Sequence, residues 1–172
     1  DAGQLFLDQM VTTSAHAAGM GGSQVYLEEG EQMSVQDLLK AVAVASGNDA
    51  AVAIGTSVGA LIDPSSADPL QTFVDAMNAK AAELGLADTF FENPHGLDNY
   101  LWEGDPPSTA RDVAKMAHAA MENELVRSIV GGGDADMVVT GADGTERTIH
   151  LEDVNALIGQ NGNIGVKTGE TR

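Results

Sequence analysis

The 172-residue chain contains no cysteine. That excludes disulfides, thiolate catalysis and zinc sites built on cysteine. Aromatic residues make up only 4%, so a core must be assembled from Ala, Val, Leu, Ile and Met. Cations are scarce: 8 Lys and Arg stand against 26 Asp and Glu, a formal net charge of −18. Phosphate recognition needs a cationic face, so no nucleic acid is expected as a partner. No stretch of about 18 apolar residues is present to cross a bilayer. Asp1–Met10 also lacks the basic-then-apolar build of a signal peptide. Membrane anchoring is therefore expected only through segments outside this chain. His16, His118 and His150 share no metal-ligand spacing, and neither metal nor cofactor is expected. One further absence concerns chemistry. The lysines Lys40, Lys80, Lys115 and Lys167 are preceded three places earlier by Asp37, Met77, Asp112 and Ile164, so no Ser-x-x-Lys occurs.

What is present indicates a globular chain of one domain: 43% hydrophobic residues with charge scattered among them. Residues 11–23, with Gly19, Gly21 and Gly22, read as loop, and Val25-Tyr26-Leu27 as a short strand or extended run. Ser34 is placed to cap a helix carrying Val35, Leu38, Leu39 and Val42 at helical spacing. Gly47 and Asn48 stop that helix, and Asp49 is expected to cap the next, over Ala50–Val58. Asp68-Pro69 opens a helix as cap and first residue, with Leu70, Phe73, Val74, Met77, Ala81 and Leu84 on one face. Thr89–Pro94 is expected to be extended and 95–107 irregular, with Trp102 in the loop. Ser108 is expected to cap a helix over Thr109–Met121, followed by a helical piece over Glu124–Val130. Met137–Thr140 and Thr145–Ile149 flank a Gly-Ala-Asp-Gly hairpin signal. A short helix over Glu152–Ile158 and a strand over Ile164–Thr168 complete the prediction.

Two short motifs carry chemistry. Ser46-Gly47-Asn48 at a helix junction can project a hydroxyl and a carboxamide into a cleft. Lys167-Thr168-Gly169 offers a charge and a directional hydroxyl for a substrate carboxylate. Gly169 leaves a bare edge for a peptide, and the N–H of Glu170 is placed to be an oxyanion donor. Taken alone, the first motif is also what a helix stop with an Asx turn looks like, and the second a strand end with a surface lysine. Together, in this order, they look like two of the three walls of a serine acyl-transfer site, in which Ser46 is expected to relay a proton to the leaving amine beside Lys167.

The surroundings of the motifs extend the pattern. Glu28-Glu29-Gly30, Val35-Gln36-Asp37-Leu38-Leu39, Ser46-Gly47-Asn48-Asp49-Ala50 and Phe73-Val74 come first. Thr89-Phe90-Phe91-Glu92-Asn93-Pro94-His95-Gly96-Leu97-Asp98, Ser108-Thr109-Ala110-Arg111-Asp112 and Gly165-Val166-Lys167-Thr168-Gly169-Glu170-Thr171 follow. From about Val25 onward the chain resembles the serine D-alanyl-D-alanine carboxypeptidases, the low-molecular-weight penicillin-binding proteins. The resemblance implies an α+β, β-lactamase/transpeptidase-like fold, with a helical subdomain and part of an antiparallel sheet, most of that sheet lying outside 1–172. It implies removal of the terminal D-alanine from peptidoglycan stem peptides through an acyl-enzyme, penicillin sensitivity and an extracytoplasmic location. Ser46 and Lys167 carry over as catalytic residues; Asn48, Thr168, Gly169 and Glu170 carry over as substrate-binding ones. The family's Ser-x-x-Lys would precede Asp1, further strands would follow Arg172, and Asp98–Pro107 departs from the family's shorter link. The chain is thus expected to be a partial catalytic domain, inactive alone. A class A β-lactamase is disfavoured by Gly47 and by the want of a Glu-x-x-Leu-Asn segment. A non-catalytic peptidoglycan-binding relative remains the alternative.

Overall fold

The computed structural model of the chain describes residues 5–97 and 108–169. Four strands, β1 (Met10–Thr12), β2 (Gln32–Ser34), β3 (Ala135–Thr140) and β4 (Glu146–Leu151), form one antiparallel sheet in that order. Alternation along each strand separates two faces. Val11, Met33, Met137, Val139 and Leu151 are buried, while Met10 and Val138 are exposed. The register sets Val11 opposite Met33 and Met137 opposite Ile149, keeping the apolar side chains on one face. In the hairpin loop, Asp143 accepts the N–H of Thr145 at 2.9 Å and its hydroxyl at 2.6 Å.

Helices cover the buried face. α1 (Ala15–Ala18) is a single turn after β1, and α2 (Val35–Ala43) follows β2 directly. The Ser34 hydroxyl accepts the Asp37 N–H at 3.0 Å, and Val35, Leu38 and Ala41 bury the inner face of α2. α3 (Asn48–Ile62) lies against α2, and α4 (Pro69–Glu83) lies against α3. The Asp68 carboxylate caps α4 by accepting the Gln71 N–H at 3.1 Å. Gly55 and Gly59, one turn apart on α3, are the surface on which α4 rests. A Cβ at Gly55 would come within 2.9 Å of the Phe73 ring, and one at Gly59 would collide with the Pro69 carbonyl. α5 (Ala110–Met121) and α6 (Glu124–Val130) close the chain's helical part. The core joins sheet, α2 and α3 through Val11, Leu27, Met33, Leu38, Val44, Val52 and Met137.

Several local expectations are corrected. Residues 11–23 are not all loop: Thr13 donates to the Glu31 carbonyl at 2.8 Å, and this pairing turns the β1 end into sheet before α1. Val25–Leu27 forms no ladder, because Tyr26 takes φ 59°. Asp49 is not the cap of α3. Gly47 is, and Asp49 lies inside the first turn with its carboxylate employed elsewhere. Thr109, not Ser108, caps α5, its hydroxyl accepting the Asp112 N–H. Glu152–Ile158 is a series of turns, with a single 3-10 turn at Gln160–Gly162 in place of the expected helix. Thr89–Pro94 is irregular, held where Asn78 exchanges two hydrogen bonds with the Phe91 backbone. Ile164–Thr168 pairs with no strand among the described residues. Trp102 and the loop 98–107 lie outside the described residues.

Candidate active site

The turn between α2 and α3 is four residues long, 44–47, and strained at one point. Ser46 takes φ 60°, the left-handed region that non-glycine residues rarely occupy, at a cost of roughly 1–2 kcal/mol. Contacts of the two residues that follow hold it there. Gly47 donates its N–H to the Ala41 carbonyl at 3.0 Å, and Asn48 donates its own to Ser23 O at 2.9 Å. The Asn48 carboxamide, nearly buried, donates through Nδ2 to Gly21 O at 2.9 Å.

Asp49 completes the clamp. Fully buried, its carboxylate accepts N–H bonds from Val25 (3.1 and 3.2 Å), Leu27 (3.1 Å) and Ala50 (2.9 Å). A buried anion is tolerated when several donors surround it. Sequence reasoning assigned Asp49 to a cap; its position immediately after the Ser-x-Asn motif was the available signal. The residues Asn48 and Asp49 thus fasten the 21–27 segment to the start of α3 and fix the direction in which Ser46 points.

Lys167 arrives from the other end of the chain. Its segment is anchored on α6, where a Cβ at Gly165 would meet Val130 Cγ2 at 2.8 Å. Asn163 Oδ1 accepts the Gly165 N–H at 3.1 Å, and Val154 donates to Val44 O at 3.3 Å, tying the preceding turns to the end of α2. The Lys167 ammonium donates to Ser46 Oγ at 3.0 Å and to Thr168 O at 2.8 Å. Among the described residues this occupies two of its three donors, leaving one for an anion. Partial burial of the ammonium lowers its pKa below the ordinary lysine range, while the Asp153 carboxylate pulls the other way. The residue as a whole stays exposed, so the shift reflects the immediate neighbours of the charge.

Of the residues expected at the site, the structure brings Ser46 and Lys167 into contact across 121 positions of sequence. Asn48 stands two residues from Ser46 and uses one donor to hold Gly21. Thr168 and Gly169 are exposed beside Lys167, with open space where a Gly169 Cβ would lie. Glu170 lies outside the described residues. The site also involves residues not foreseen: Asp49 as anchor, Gly22 as the close-packed neighbour of Asn48, and Asp153 as the anion near Lys167. Among the described residues no group of three or more acidic or histidine side chains is placed to hold a metal ion.

Comparison with known proteins gives a consistent picture. The profile described as Peptidase_S11, D-alanyl-D-alanine carboxypeptidase, matches residues 1–172. The chain is 40% identical over 172 residues to the D-alanyl-D-alanine carboxypeptidase DacF of Bacillus subtilis, covering 99% of this chain and 40% of that protein. It is 33% identical over 149 residues to a D-alanyl-D-alanine carboxypeptidase of Streptomyces strain K15, covering 86% of this chain and 49% of that protein. The chain thus spans less than half the length of these relatives. The crystal structure of the Streptomyces K15 DD-transpeptidase superposes with a TM-score of 0.87 at 32% identity, over 98% of this chain and 64% of that one. DacD of Francisella tularensis, also described as a D-alanyl-D-alanine carboxypeptidase, superposes with a TM-score of 0.80 at 25% identity, over 99% of this chain and 49% of that one.

Proposed function

Because the chain belongs to the D-alanyl-D-alanine carboxypeptidase family, Peptidase_S11, we propose that it is the part of a serine D,D-carboxypeptidase that binds the substrate's terminal carboxylate and delivers a proton to the leaving amine. The single observation that carries this reading is the 3.0 Å contact between Lys167 Nζ and Ser46 Oγ. The substrate is a peptidoglycan stem peptide ending in D-Ala-D-Ala, which places the enzyme's work outside the cytoplasm. β-Lactam antibiotics are the corresponding acylating inhibitors. The acylated serine belongs to a Ser-x-x-Lys contributed by a parent polypeptide in which 1–172 is one portion of the catalytic domain.

The roles follow from the donors. Lys167 and the Thr168 hydroxyl hold the terminal carboxylate, and Gly169 lets the peptide lie against the backbone. The Glu170 N–H serves as one oxyanion donor as the nucleophile adds to the penultimate carbonyl. Asn48 fixes the peptide backbone. Ser46 accepts from the ammonium, so its own proton is free to be given to the departing amine. The C–N bond breaks as that nitrogen is protonated, D-alanine leaves, and water later cleaves the ester. In net terms the amine gains the proton that the attacking hydroxyl loses. The ammonium beside Ser46 stabilises the negative charge that builds on Oγ during the relay.

The test is acylation by a fluorescent penicillin. The parent polypeptide is expected to form a covalent adduct, and Ser46→Ala in it to slow acylation about 100-fold, the range of a lost proton-transfer group. The 172-residue chain by itself is expected to form none. An adduct on the isolated chain, or a parent that no penicillin acylates, overturns the proposal.

A further inference from the structure

The turn Asn93–Leu97 is built almost wholly from its own hydrogen bonds. Asn93 Oδ1 accepts the N–H groups of His95 (3.1 Å) and Gly96 (2.6 Å), and Asn93 Nδ2 donates to Leu97 O at 3.0 Å. The remaining tie is made by the ring of His95, whose Nδ1 receives the Leu97 N–H at 3.1 Å. A backbone N–H can only donate, so Nδ1 must present a lone pair and the ring proton must reside on Nε2. Protonating Nδ1 would set two donors face to face.

This turn reaches the candidate active site in one step. Gly22 takes φ 74°, and a Cβ there would come 2.8 Å from Asn48 Nδ2 and 3.2 Å from Leu97 Cδ2. Asn48 and Leu97 therefore close on Gly22 together, while Asn48 also holds Gly21. Displacing Leu97 removes one of the supports on which the Asn48 carboxamide is set, two residues from Ser46.

We propose that His95 is a positioning residue: its unprotonated Nδ1 keeps the 93–97 turn seated on Gly22 and so holds Asn48 in register with the Ser46–Lys167 pair. The inference rests on the reading of that pair as the catalytic site. Among the described residues the titratable group facing the ring is His16 of α1. Burial, first, and His16, second, lower the His95 pKa below 6.5. A depressed histidine pKa contributes stability that is complete above the unfolded value and is lost as pH falls through the folded value. The turn therefore loosens on the acid side of 6.5.

The experiment uses the parent polypeptide, with penicillin acylation rates measured from about pH 5 to about pH 8 and histidine-ring 15N spectra taken alongside. The wild type is expected to show an Nε2–H tautomer at His95 and an acylation rate that falls with acid. In His95→Asn the carboxamide oxygen can take the Leu97 N–H without titrating, so the neutral-pH rate is rescued and the acid fall attributed to His95 disappears. His95→Leu, which offers no acceptor, is expected to lose about tenfold at neutral pH, the cost of one net hydrogen bond, with its circular dichroism unchanged. An Nδ1–H tautomer, or an acid limb that persists unaltered in His95→Asn, overturns the inference. Should no form of the parent react with penicillin, the assigned function fails. The tautomer and the exchange rate of the Leu97 amide in wild type and His95→Leu still decide the role of His95 in seating the turn.

Discussion

Ser46 occupies a left-handed conformation that a glycine would take more cheaply, yet only a side chain with a hydroxyl can accept the Lys167 ammonium there. The strain is tolerated because Asn48 and Asp49 lock the following turn from a distance of more than twenty residues in sequence. Asp49→Ala would leave the N–H groups of Val25 and Leu27 without an acceptor in a dry environment. At about 1–3 kcal/mol for each unpaired group, we expect a loss near 3 kcal/mol, visible as a lower urea midpoint at unchanged slope. Penicillin acylation of the parent should fall further than stability alone explains, because Ser46 loses its fixed bearing. A variant with the wild-type midpoint would remove Asp49 from this role. Little of this was legible in the sequence. An aspartate after a helix stop resembles a cap by every local criterion, and only the approach of the 25–27 segment shows otherwise.

Among the elements, local signals were decisive wherever a helix or hairpin is held by its own ends. Ser34, Asp68-Pro69, the span Glu124–Val130 and the hairpin around Asp143 all stand where residue chemistry places them. β1 and β2 were not legible, since each has only three residues and exists by pairing with the other. The α3–α4 contact shows what spacing can say once a partner is known: Gly55 and Gly59 remove two side chains so that Pro69 and Phe73 can approach. Gly59→Ala sets a methyl group against a backbone carbonyl that cannot rotate away. It is expected to destabilise by about 3 kcal/mol, the upper part of the usual overpacking range, despite the higher helix propensity of alanine. Thermal unfolding measures this, and an equal or raised midpoint would show that α4 can slide.

At the scale of the whole molecule, charge and assembly pull in different directions. A formal charge of −18 on 172 residues opposes compaction through self-repulsion, and the described ion pairs offset only part of it. One of them, the two-pronged contact of Arg147 with the nearly buried Glu31 at 2.7 and 2.8 Å, ties β4 to the loop before β2. Raising sodium chloride from about 10 mM to about 1 M, which shortens the screening length from about 30 Å to about 3 Å, is expected to raise the melting temperature. A fall would indicate that paired charges outweigh repelling ones. By itself, the sequence determined the composition of the core, the helices with clear caps, the hairpin and the identity of two motifs, because each of these depends on neighbours a few residues apart. The resemblance set Ser46 and Lys167 in one site, but the tertiary structure alone decided that the ammonium donates to the hydroxyl at 3.0 Å, that a buried carboxylate anchors the turn carrying Ser46, and that a histidine's lone pair seats the loop beside it. Those outcomes depend on which segments are brought together in space, and no spacing along the chain encodes that directly.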